Sequence, residues 1–290
     1  MPEPRLNHVQ CLSSAGLHRM AYWEWGARDN PRVLVCVHGL SRQGRDFDVL
    51  ARCLSERYRV VCPDVMGRGE SDHRPNSALY QVPVYVADMV TLLARLDVAE
   101  VDWVGTSMGG LIGLGLAALP DSPVRRLVLN DVGPTIEYAA LERIGSYLGQ
   151  RMRFDSLAQG VAHLREISAG FGPHSEAEWL ALSLPMFRPD AEGEGGGVRL
   201  HYDPRIAEPF AALTPALAAA GEVTLWQAYD ALRCRTLLLR GAESDLLSRA
   251  TAQAMTQRGP RALLHELPGV GHAPTLVAAD QIALVQHFLT

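Results

Sequence analysis

The chain of 290 residues predicts an α/β fold, with a mostly parallel central sheet flanked by helices and interrupted by a helical insertion. Three observations carry that expectation. Short, continuously apolar runs such as VLVCVHG at 33–39 have the composition of parallel strands buried on both faces. Longer segments with apolar residues at helical spacing separate them, so strand and helix alternate. The alternation stops near residue 135 and resumes only at TLLLRG, 236–241.

In chain order, MAYWEWG at 20–26 reads as an early strand and 33–39 as the first buried one. Residues 44–56 predict a helix, because Phe47, Leu50, Ala51 and Leu54 share one side. RVVCPD at 59–64 is the next strand, and 85–96 a helix through Val86, Met89, Val90 and Leu93. A strand at 101–105, a helix at 108–118 and a strand at 126–131 follow. In the insertion, 141–152 and 156–171 each keep apolar residues on one helical face. AEGEGGGVRL at 191–200 is glycine-rich and predicts a mobile loop. After the strand at 236–241 come a helix at 250–257, a strand at 262–267 and a terminal helix at 277–289. The expected division is a core of 1–134 and 232–290 with an insertion of 135–231. Parallel strands need crossover helices, and ligands bind at the carboxyl ends of such strands.

Composition narrows the function. The chain is 48% hydrophobic and 20% charged with net charge −5, which places it among soluble globular proteins. No basic stripe invites nucleic acid, and no window predicts a membrane span or an anionic-membrane partner. Five cysteines without a C-x-x-C argue against a disulfide scaffold or a zinc site and for a reducing compartment. The first residues, MPEPRLNHVQCLSSAG, hold no apolar stretch of signal-peptide length. A cytoplasmic protein is the expectation.

The chemistry starts at Gly105-Thr106-Ser107-Met108-Gly109, a G-x-S-x-G pattern after a predicted strand and before a predicted helix. A sharp strand-to-helix turn exposes the serine hydroxyl, and the close chains there leave no room for a Cβ at 105 or 109. The alternative is a plain helix cap. A serine needs a base. His272, in the loop LPGVGHAPTL, follows the serine in the chain order Ser, acid, His; His38 precedes it and fits a structural part, holding its loop by a ring hydrogen bond. The acid that orients the histidine is expected to be Asp245, just past the strand at 236–241, with Asp131 at the end of RLVLND as the alternative and Glu243 a weaker one. Two backbone N–H groups, of Leu40 and Met108, are the candidate oxyanion donors. Neither metal nor organic cofactor is required.

The motifs VHGL (37–40), DVMGRGESD (64–72), GTSMGG (105–110), GAESDLL (241–247) and GVGHAP (269–274) together resemble the α/β-hydrolase fold family over nearly the whole chain. The resemblance implies a Ser107–Asp245–His272 triad, oxyanion donors at Leu40 and Met108, and a cap over the pocket formed by 135–231. It gives Arg68, Ser71 and Asp72 a structural part beside the pocket. NDVGP at 130–134 resembles bacterial carboxylesterases of this fold, some of which cut aliphatic polyesters such as polylactide. A serine where halide- and epoxide-processing members carry Asp disfavours an alkyl-enzyme route. The expected function is hydrolysis of a small-molecule carboxylic ester with short to medium acyl chains. A C–C bond hydrolase or enol-lactonase with the same triad is the alternative, for which the cap offers Arg143, Arg151, Arg153, Arg165 and Arg188. A non-catalytic receptor on the same fold is the rival from another class. Trp179, Phe187, Tyr147 and Trp226 are candidates for lining an acyl pocket or for the cap's own core.

Overall fold

A computed structural model describes residues 3–190 and 197–290. The chain opens with an antiparallel hairpin, β1 (Arg5–Ser13) and β2 (Gly16–Trp25). Only the second half of β2 is legible in the sequence, because β1 alternates exposed residues with buried or partly buried ones and has no apolar run. The expected strands follow as β3 (Val33–Val37), β4 (Arg59–Pro63), β5 (Val101–Thr106) and β6 (Val124–Asn130). Helices α1 (Asp48–Leu54), α2 (Val82–Leu96) and α3 (Met108–Ala117) alternate with them.

Between β6 and the next strand of the main sheet the chain forms α4 (Tyr138–Tyr147), β7 (Arg153–Phe154), α5 (Leu157–Ile167), α6 (Glu176–Ser183), β8 (Phe187–Pro189), β9 (Val198–Leu200), α7 (Ala207–Ala211) and α8 (Pro215–Ala231). Helix α4 stops before the expected 152, because the backbone turns extended at Leu148 and takes a positive φ of 78° at Gly149. Strands β7, β9 and β8 form a small antiparallel sheet, each too short to show a period in sequence. Of the expected loop at 191–200, residues 191–196 lie outside the described residues, and Val198–Leu200 is strand rather than loop. The core resumes with β10 (Arg235–Gly241), α9 (Arg249–Met255), β11 (Leu263–Leu267) and α10 (Ala279–Leu289).

The main sheet runs β1-β2-β4-β3-β5-β6-β10-β11, parallel from β4 to β11 with the hairpin antiparallel at one edge. Period-two alternation feeds two cores. Val33, Val35 and Val37 of β3 join Leu127 and Leu129 of β6 under α2 and α3. Leu34 and Cys36 join Val104, Val128, Leu237 and Leu239 under α1 and α10. Helix α8 keeps to the first layer: it packs on α3, and Tyr229 donates to the Met255 carbonyl of α9 at 2.6 Å. With both faces covered, polar side chains collect at the carboxyl ends of β3, β5, β6 and β10, as expected for an open parallel sheet.

Candidate active site

Ser107 is the residue between β5 and α3, held at φ 51° and ψ −117°. A non-glycine residue there costs about 1–3 kcal/mol, so the surroundings must enforce it. They do so by close approach. A Cβ at Gly105 would run into the Gly109 carbonyl, and one at Gly109 into the Val37 carbonyl. Ser107 N–H donates to Asn130 O at 3.0 Å, and its own carbonyl accepts from Gly110 and Leu111 at 2.8 and 3.1 Å.

The loop after β11 brings His272 to the same rim. Its Nε2 lies 3.0 Å from Ser107 Oγ, and its Nδ1 lies 2.8 Å from Asp131 Oδ2. A carboxylate only accepts, so Nδ1 carries the proton in the neutral ring. Nε2 is then the acceptor of the serine O–H. The line therefore runs Ser107, His272, Asp131, with the acid at the end of β6.

Asp245, the expected acid, stands elsewhere. It receives a bidentate pair from Arg143, Nε at 2.6 Å and Nη2 at 2.9 Å, with 46% of its side chain exposed. Burial pushes its pKa up, but the hydrogen bonds and charge of Arg143 outweigh that and hold it below the usual value. Asp131 is fully buried and saturated: Gly241 N–H donates to Oδ1 at 2.8 Å and Ser244 Oγ to Oδ2 at 2.6 Å. The correction has a physical reason. Both aspartates satisfy the chain order, but β6 adjoins β5 in the sheet, and its end is walled in by β10 and the Ser244 turn. The arginine that claims Asp245 comes from α4, 102 residues away in the chain, where no local pattern shows it.

Sequence reasoning also missed Ser244 and Asn130. Asn130 Nδ2 donates to Thr106 Oγ1 at 2.9 Å and to Pro274 O at 2.8 Å, stitching the serine strand to the histidine loop. Its place directly before Asp131 was the available signal.

The loop after β3 lies beside the serine, since a Cβ at Gly39 would stand 3.8 Å from Ser107 Cβ. His38 is buried and braces that loop: Nδ1–H donates to Gly39 O at 2.7 Å and Nε2 accepts Val65 N–H at 2.9 Å. Burial lowers its pKa to about 3, so the ring is neutral. Arg68, also buried, donates to Leu40 O and Met66 O at 2.8 and 2.7 Å, to Tyr85 Oη at 2.8 Å, and lies 3.6 Å from Met108 Sδ. It touches both residues expected to supply oxyanion donors. Met108 begins α3, where a helix leaves its first N–H groups unpaired. Ser71 donates to Asp64 O and accepts from Ala21 N–H, and Asp72 accepts from Arg19 N–H, so both tie the loop to the hairpin.

The insertion faces this rim. Arg42 donates to Leu182 O at 2.8 Å, Gln43 donates to Pro185 O, Gly271 N–H donates to Gly170 O at 2.7 Å, and His174 Nε2 lies 2.7 Å from Thr275 Oγ1. The hollow over Ser107 is bordered by Tyr147, Ile144, Ile167, Phe171 and Met186 of the insertion. Of the four aromatic candidates only Tyr147 borders it. Trp179 stacks on Phe171 at 6.2 Å, Phe187 meets Phe154, and Trp226 meets Tyr229 edge-on.

Among the described residues, one group brings metal-ligating atoms together: Cys11, His18 and Asp88, within 4.8 Å of one another and outside the Ser107 cavity. His18 Nε2 lies 3.0 Å from Asp88 Oδ2, joining the hairpin to α2, and burial pushes the Cys11 thiol up to about 12. Among the described residues no helix is long and apolar enough to cross a membrane.

A 3-hydroxybutyrate-oligomer hydrolase of Cupriavidus necator is 55% identical over 287 residues, covering 99% of this chain and 98% of that protein. A crystal structure of an alpha/beta hydrolase from Novosphingobium aromaticivorans superposes with a TM-score of 0.84 at 35% identity, covering 100% of this chain and 99% of that one. A putative hydrolase from Rickettsia typhi reaches 0.88 at 29% identity, covering 98% of each chain. Residues 32–279 match the family model of the alpha/beta hydrolase fold, and the chain belongs to that family.

Proposed function

We propose that the protein hydrolyses carboxylic esters through an acyl-enzyme on Ser107, and that its substrates are oligomers of short hydroxy acids. The single observation that carries the mechanism is the continuous line from Ser107 Oγ through both nitrogens of His272 to buried Asp131, at 3.0 and 2.8 Å. The 55% identity to a 3-hydroxybutyrate-oligomer hydrolase over the whole chain supports the substrate class.

His272 Nε2 takes the Ser107 proton as Oγ bonds to the ester carbon. The N–H groups of Leu40 and Met108 hold the oxyanion, each donor lowering the barrier by about 3 kcal/mol. His272 then protonates the departing alkoxide as the acyl C–O bond breaks. Water, deprotonated by the same nitrogen, releases the acid and restores Ser107. Asp131 keeps Nδ1 protonated and stabilises the imidazolium. The insertion between β6 and α8 roofs the reaction and limits water around it. All five cysteines are free, which supports a reducing, cytoplasmic setting.

The test is turnover of 3-hydroxybutyrate trimer, with p-nitrophenyl butyrate as a neutral ester and a meta-cleavage diketone as a C–C substrate. Release of monomer, abolished in Ser107→Ala together with fluorophosphonate labelling, is expected. Labelling of Ser107 without turnover of any ester, or turnover of the diketone alone, would refute the proposal.

A further inference from the structure

Ser107 stands between two hollows, one almost wholly apolar and one that carries polar and charged side chains among apolar ones. One is apolar, walled by Met108, Leu111, Val132, Ile136, Phe210 and Leu213. The other carries Ser41, Arg42, Arg143, Tyr147 and His163 alongside His272. Leu40, Ser107 and Ile144 belong to both, so a substrate bound across the serine has one arm in each.

Two guanidinium groups border the second hollow, and they differ in availability. Arg42 is 12% exposed, forked onto Asp46 at 2.8 and 2.7 Å, and also bonded to Leu182 O. It is committed to joining the insertion to the core. Arg143 is 42% exposed, and its fork onto Asp245 uses Nε and Nη2. Both partners of that pair reach solvent, so the pair is weak and exchangeable. A guanidinium is also the side chain best shaped to take a carboxylate bidentately.

We infer that Arg143 recognises the free carboxylate of an oligo(hydroxy acid) and thereby sets which ester bond is cut. The inference rests on the ester-hydrolase reading. An oligomer of this kind has one carboxylate, and it always lies on the alcohol side of its ester bonds. Held by Arg143, the carboxyl-terminal unit occupies the hollow beside that guanidinium as the leaving alcohol, and the acyl portion fills the apolar one. Ser107 Oγ bonds to the acyl carbon, the bond from that carbon to the alcohol oxygen breaks, and His272 passes the serine proton to that oxygen. A free hydroxy acid departs. Water then supplies OH to the acyl carbon and a proton to Ser107, freeing an oligomer one unit shorter with a new terminal carboxylate. Asp245 competes with the substrate for Arg143 and repels it, so it tunes the strength of carboxylate capture.

The experiment compares kcat/KM for 3-hydroxybutyrate trimer as the free acid and as its methyl ester, using the full-length protein. The acid-to-ester preference is expected to fall about tenfold or more in Arg143→Gln, to return in part in Arg143→Lys, and to rise in Asp245→Asn. In the unmutated enzyme it falls with added salt. A trimer labelled with carbon-13 in its carboxyl-terminal unit is expected to release the label first as monomer. An unchanged preference in Arg143→Gln and at high salt, or label emerging first in the dimer, would overturn the assignment. If the unmutated enzyme cleaves neither trimer but turns over p-nitrophenyl butyrate, the oligomer substrate class and this assignment fall together; if it cleaves no ester, the ester-hydrolase reading itself fails.

Discussion

Asp131 Oδ2 lies 2.8 Å from His272 Nδ1, reaching it from the strand that pairs directly with the strand of Ser107. The relationship separates two aspartates that obey the same chain order. Asp131→Asn is expected to lower kcat on p-nitrophenyl butyrate by about 10⁴-fold, because an amide at that place forces the wrong imidazole tautomer. Asp245→Asn is expected to cost less than about tenfold, since it removes only an exposed partner of Arg143. Steady-state kinetics of the two variants decide the matter, and a larger loss in Asp245→Asn would reverse the assignment.

The core strands were legible because burial on both faces of a parallel sheet demands continuous apolar runs, as at 33–37 and 237–239. Ser107 was legible because the two glycines its turn requires, Gly105 and Gly109, lie two residues to either side of it in the chain. His272 sits in an equally local glycine-flanked loop. Asp131 was weighed and passed over: what selects it is the lateral order of the strands and the Ser244 hydroxyl 113 residues away. Strand β1 was hidden for a similar reason. It is an edge strand with alternating exposed residues, defined by its pairing with β2 rather than by its own composition. The short strands of the insertion carry two or three residues each, below the length at which any period registers.

Under the proposed mechanism Arg68 positions the loop that carries the Leu40 N–H. It is buried, bonds the carbonyls of Leu40 and Met66, and touches Met108. Arg68→Met leaves those carbonyls without a donor and lets the loop shift. Displacement of a catalytic group by about 1 Å costs as much as 10²-fold, so kcat is expected to fall about 10- to 100-fold. KM should change far less, because Arg68 does not border the hollow beside His272. Arg68→Lys, with three donors, should recover part of kcat. A rise in KM at constant kcat would place Arg68 in substrate binding instead.

Two glycines on helices should respond to alanine with opposite sign. Gly109 faces the Val37 carbonyl so closely that a Cβ cannot enter without moving β3. Gly109→Ala is expected to destabilise the fold by about 3 kcal/mol or more and to depress soluble yield. Gly221 sits within α8, where a Cβ meets nothing within 4 Å. Gly221→Ala is expected to stabilise by up to about 1 kcal/mol through helix propensity. Thermal melts of the two variants beside the parent check the signs, and a neutral Gly109→Ala would refute the close packing at the nucleophile turn.

His38 makes stability depend on pH. Burial lowers its pKa from 6.5 to about 3, aided by the positive charges of Arg68 and Arg42 and opposed by its bond to Gly39 O. The unfolded chain takes up the proton first, so the contribution of this ring is fully present above pH 6.5. It is lost progressively as pH falls from there toward 3. A gap of that width corresponds to at most about 5 kcal/mol. Urea unfolding between pH 7.5 and 4 should show the parent weakening on acidification more steeply than His38→Gln, whose amide keeps a donor and an acceptor but does not titrate. The variant is expected to be the less stable of the two at pH 7.5, with the difference narrowing toward pH 4. Parallel stability curves for the two proteins would mean that the proton taken up on acid unfolding goes to other groups, and that His38 braces the loop without acting as an acid-sensitive element.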